Sequence, residues 1–212
     1  MPLAPLIYRS TSNQLAVRIA NDMVELASIS SPQELFEAQI LIERVSEHLD
    51  NLRAMRHCAL GFQDLFEQLP WLRSISLEAT CVPTVEDGAS FNLHELSVSA
   101  VTIEAALLDA DEDTVAQQLE YAMCFQSSEP LLYGFNAPPI FKDELSILYS
   151  AMDTSGEGDG DAISQTVLRE QVIDASDVDE MAERLFPEKW AVTAQALGLP
   201  YKGSAPRERP RA

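Results

Sequence analysis

The sequence predicts an α+β fold: an antiparallel β-hairpin packed against several helices, one of them long and bent, with a small helical region after them. Three observations carry this expectation. Residues 73–82 alternate, with Ile75, Leu77, Ala79 and Cys81 pointing one way and Ser74, Ser76, Glu78 and Thr80 the other. Ser31-Pro32-Gln33-Glu34 is a capping box with proline at the first helical position. Apolar residues then recur at helical spacing from Leu35 to Leu69.

The hairpin comes first because it organises the rest. A period of two marks a strand with one face buried. Pro83 is expected to end it, and Glu86-Asp87-Gly88 supplies turn chemistry. In the second run, Leu96, Val98 and Ala100 alternate with Glu95, Ser97 and Ser99, after a connection of five to nine residues. Apolar positions then shift to Val101 and Ile103, a change of parity that predicts a bulge or the strand's end. A lone hairpin is barely stable in water. Helices must cover its apolar face, and a further strand can join the sheet.

Residues 1–12 read as an extended leader with no basic region followed by an apolar stretch, so a signal peptide is not expected. Ser12 or Asn13 caps a first predicted helix to about Ala27, with Leu15, Ile19, Met23 and Leu26 on one face. The helix that starts at the capping box carries Leu35, Ala38, Ile42, Val45, Leu49 and Leu52, then Met55, Ala59, Phe62, Phe66 and Leu69. Its phase slips near Asp50–Arg53. Unbroken over 32–69 it would be about 57 Å long, against a radius of gyration of about 17 Å for a compact chain of this size. A bend is therefore expected near Asp50-Asn51 or, better, at Gly61.

Beyond the hairpin, the acids of 109–113 suit a helix start, and Val115, Leu119, Ala122 and Met123 give that helix an apolar face to about Phe125. Residues 127–139 read as a loop, and Ile140–Met152 as a helix. Asp153–Asp161 holds three glycines and four carboxylates and reads as a linker. Short helices follow over Ile163–Ile173, Val178–Phe186 (capped by Ser176) and Pro187–Leu197, the last stopped by Gly198 and Pro200. The domain reading is a core over 1–152, the linker over 153–161, a helical region over 162–201 and a disordered basic tail over 202–212.

Chemistry is easier to exclude than to assign. Asp153, Ser155, Glu157 and Asp159 match positions 1, 3, 5 and 7 of a calcium loop, but position 12 is Ser164 where a bidentate glutamate is needed. No zinc spacing occurs among His48, His57, His94, Cys58, Cys81 and Cys124. His94 is placed on the polar side of the second strand. The three widely spaced cysteines suit reduced, buried thiols in a cytoplasmic protein. Nucleophile-elbow, phosphate-loop and dinucleotide motifs are absent. No metal or cofactor is expected, and no apolar run is long enough to cross a membrane.

Charge is the strongest signal. The chain carries −20, and residues 104–188, with 20 acids and 3 bases, carry −17 of it. Such a field repels nucleic acid and anionic membranes and attracts basic partners. The leading expectation is a non-enzymatic binding protein, an inhibitor or adaptor for a basic, nucleic-acid-binding protein whose groove would take carboxylates at phosphate-like spacing. A phage or mobile-element origin would suit such an inhibitor. Candidate contact residues are Asp109, Asp111, Glu112, Asp113, Asp174, Asp177, Asp179, Glu180 and Glu183, with Tyr133, Phe135 and Ile140 as apolar anchors. Two other classes stay open: an enzyme or enzyme subunit with a carboxylate site, and a homo-oligomeric assembly component using the long helix.

Overall fold

The computed structural model describes residues 31–86, 89–104, 109–125, 132, 134–153 and 162–199. The expected first helix, most of the acidic glycine segment and the basic tail lie outside the described residues. By its contacts the chain divides into two units, 1–47 and 48–212. The division falls inside a helix, α1 (Pro32–Gln68), whereas the sequence reading puts its boundary at 153–161. In the first unit α1 starts on the expected capping box. The Glu34 N–H donates to Ser31 Oγ at 3.3 Å, and the Ser31 N–H donates to Glu34 Oε2 at 2.7 Å.

In the second unit α1 becomes a core helix, burying Leu52, Met55, Cys58, Ala59, Phe62, Leu65 and Phe66. Its hydrogen-bonded helix runs unbroken through Asp50-Asn51 and Gly61. Gly61 has a packing role: a Cβ there would lie 2.3 Å from Cγ2 of Ile140. The hairpin follows as β1 (Leu72–Glu86) and β2 (Ala89–Ile103). Both strands are longer than expected, and only two residues join them. Pro83 does not end β1 but pairs with Asn92. The third strand reaches only Ser74–Ala79, so β1 has one neighbour at Pro83, and an edge position tolerates the missing N–H. The bulge falls at Ser99, where pairing jumps from Ser76–Ala100 to Leu77–Val98. His94 pairs with Cys81 and lies against the Tyr149 ring. It therefore shares the core-side parity of Leu96 and Val98, not the polar side.

Helix α2 (Glu112–Phe125) packs on β2. A 3₁₀ turn at Pro139–Phe141 replaces the first part of the expected 140–152 helix, because the Pro139 carbonyl gathers the N–H groups of Lys142, Asp143 and Glu144. Helix α3 (Leu145–Met152) touches all three strands. The expected helix over 163–173 is instead β3 (Ile163–Leu168) followed by a five-residue α4 (Arg169–Ile173). The sheet is antiparallel, in the order β2-β1-β3. Helices α5 (Val178–Leu185) and α6 (Pro187–Leu197) complete the described elements. The cap of α5 is Asp177 rather than Ser176, and Gly198 ends α6 at φ +66.

One hydrophobic cluster joins these parts. Ile75, Leu77, Val98, Val101 and Val167 supply the sheet face, and Leu119, Phe62, Leu148 and Trp190 the helices. The opposite face of the sheet is polar, with Ser76 Oγ and Thr166 Oγ1 at 2.8 Å. This is the expected α+β architecture with one strand added.

Candidate functional site

The acids singled out by charge fall in two places, the start of α2 and the α4–α6 region, and at both several already serve the fold. Asp111 caps α2. The Thr114 N–H and Oγ1–H donate to its two oxygens at 2.8 and 2.9 Å, and these bonds hold its carboxyl below the ordinary range. Glu112 accepts from the Ile103 N–H at 3.3 Å, and Glu120, two turns on, from the Val98 N–H at 2.8 Å. Both donors belong to β2, an outer strand whose N–H groups would otherwise invite a foreign strand. The α2 carboxylates satisfy them. Asp109 and Asp113 are exposed, and neither has an internal partner among the described residues.

In the second cluster, Asp177 caps α5 by accepting from the Glu180 N–H at 2.9 Å. Asp179 takes Arg56 of α1 in a two-pronged pair at 2.6 and 2.9 Å. Glu180 accepts from Ser176 Oγ at 2.5 Å, the Ser176 N–H at 3.0 Å and Arg184 at 2.5 Å. These donors, the Ser176 hydroxyl first, hold its carboxyl at about 2. Asp174 and Glu183 make no internal bond among the described residues. The arginines of the region are engaged by the chain's own carbonyls. Arg169 lies over the Phe66 ring and donates to the Phe66 carbonyl at 2.5 Å, and Arg184 also reaches the Glu170 carbonyl.

A pH consequence follows for Glu180. Its folded carboxyl titrates below the ordinary 4.5, so it contributes stability that is complete above that value and is lost as pH falls toward about 2. The urea midpoints of wild type and Glu180→Gln are expected to differ at neutral pH and to converge on acidification. A gap that is unchanged at about pH 2.5 would rule out this linkage.

The anchors fare differently. Tyr133 lies outside the described residues. Phe135 is half-buried and packed on the core, and Ile140 is buried against Gly61. Ile140 is therefore a core residue, closed to a partner, because the glycine opposite draws it inward.

Cys58 and Cys81 are buried free thiols. Burial first, and then the nearby Glu144 carboxylate, push the Cys58 thiol far up, which removes its nucleophile at neutral pH. His57 Nε2 and Glu144 Oε2 form a half-exposed pair at 2.5 Å. No three His, Cys, Asp or Glu side chains converge as a metal site among the described residues. A groove of about 280 Å³ lies between the end of α3, β3 and the α5–α6 junction, lined by Met152, Gln165, Phe186 and Lys189 among others. Its one carboxylate among the lining residues is Glu188, so no carboxylate dyad is assembled there.

The roles of Glu112 and Glu120 were missed in the sequence, since they depend on which strand lies beside α2. The Arg56–Asp179 pair was missed too, being 123 residues apart. Each cap is an acid immediately before its helix, with Thr114 or Glu180 three positions on, a local pattern that the expectation of Ser176 passed over at α5. No described helix is long and apolar enough to cross a membrane. The chain matches no protein-family model, no curated protein and no solved structure.

Proposed function

We propose that this chain is a non-enzymatic binding protein of the cytoplasm, an inhibitor or adaptor that takes a basic protein through its acidic surface. One observation carries the reading. Residues 104–188 hold 20 acids against 3 bases, and two of those bases, Arg169 and Arg184, are engaged by backbone carbonyls of the chain itself. The outward field is thus left to carboxylates that the fold does not use, among them the contact candidates Asp109, Asp113, Asp174 and Glu183. Ordered carboxylates facing a basic groove raise the association rate and favour partners that otherwise bind phosphate. The buried thiols Cys58 and Cys81 suit a reducing compartment.

The test begins with capture from the native host at low salt and identification of the bound protein. Affinity is then measured with both purified. Binding is expected to weaken at least tenfold between about 0.1 M and about 1 M salt, as the screening length falls from roughly 10 to roughly 3 Å. Replacing Asp113, Asp174 and Glu183 by their amides should slow association without unfolding the chain. A captured partner indifferent both to salt and to these amides would end the proposal.

A further inference from the structure

We propose that two copies of this chain associate through the apolar row of α1 that begins at Leu35. Leu35, Ala38, Ile42 and Val45 succeed one another at spacings of 3, 4 and 3, the a and d positions of a heptad. Leu49 continues the series. In the isolated chain Leu35 and Ala38 are half-buried, while Ile42, Val45 and Leu49 are 41%, 40% and 52% exposed and Leu41, which flanks them, 63%. A row of this kind on a helix is the signature of a seam that a second helix covers.

Charge selects the occupant. A chain carrying −20 repels its own copies over most of its surface. On α1 the acids Glu37, Glu43 and Glu47 occupy the c, b and f positions, turned away from the seam. Gln33 and Gln39 donate to Glu37 and Glu43 along the helix, at 3.3 and 2.8 Å. The flanking e and g positions hold Gln39, Leu41, Ser46 and His48. Glu34, the acid at a flanking position, is already committed to Ser31. The seam is therefore a strip along which two like-charged chains meet without setting carboxylate against carboxylate. A basic partner gains nothing there. A second copy, bringing the same apolar row and flanks on which the acid Glu34 is already engaged, does.

The experiment is the mass of the full-length protein in solution, by light scattering or sedimentation equilibrium, at low and high salt. Twice the chain mass of 23.4 kDa is expected, with the dimer fraction rising as salt screens the net repulsion. Ile42→Asp and Val45→Asp should each return the single-chain mass at both salts. Phe36→Ser, at an exposed position off the seam, should leave the dimer intact. Far-ultraviolet circular dichroism of the variants checks that their helices persist. A single-chain mass for wild type at both salts overturns the proposal, as does a dimer that survives both aspartates. If wild type is monomeric and removal of residues 1–30 then yields a dimer, the seam belongs to the apolar face of residues 13–27 of the same chain, and the proposal is likewise overturned. Salt strengthens this contact but weakens the docking of a basic protein, so the two readings fail by different signs.

Discussion

Phe62→Ala is expected to lower the unfolding free energy by about 3–5 kcal/mol, the usual cost of emptying a fully buried aromatic site. Phe62 is completely enclosed and meets Phe141 edge-on, ring centres 5.2 Å apart at 73°. That geometry adds to the area it buries. The contact also joins two stretches far apart in the chain, the second half of α1 and the 3₁₀ turn before α3. Against a typical total of about 5–15 kcal/mol, the loss is severe. Urea unfolding at unchanged slope measures it, and a change below about 1 kcal/mol would show that the ring is not packed as described.

Gly61→Ala is the second large effect, and its sign runs against helix propensity. Within a helix the exchange ordinarily gains about 1 kcal/mol. Here the new methyl would sit 2.3 Å from Cγ2 and 3.3 Å from Cβ of Ile140. Isoleucine is branched at Cβ and stiff about χ1, and Ile140 is itself buried, so it has nowhere to turn. Overpacking of this kind costs about 1–3 kcal/mol, and at this overlap a net loss of about 2 kcal/mol is expected. The control is a double-mutant cycle. Ile140→Ala should cost clearly less in the Gly61→Ala background than in wild type, because the added methyl fills part of the space it leaves. Additive single effects would refute the contact.

The candidate site divides along the same line. That the middle of the chain is acidic is plain from composition, whereas the cap of α5 is not the expected Ser176 but Asp177. Which carboxylates remain for a partner is a different matter. Glu112 and Glu120 lose that freedom only because α2 lies along the outer strand of the sheet, and Asp179 loses it to an arginine of α1. Nothing in the neighbourhood of these residues announces either partner.

Periodicity, caps and turn residues settled the elements whose causes are local: the start of α1 at Ser31, the hairpin with its bulge, α2, and the stop of α6 at Gly198. Three features waited on packing. Strand β3 hides behind Gln165, a polar side chain on the core side, whose amide nitrogen is met only in the folded chain, by the Leu185 carbonyl at 2.6 Å. Pro83 stays in β1 because β3 stops short of it, and Gly61 stays in a helix because Ile140 needs the space. Each depends on a neighbour remote in sequence. Backbone preference acts over a few residues, but burial and hydrogen-bond satisfaction are decided by whatever the folded chain places alongside.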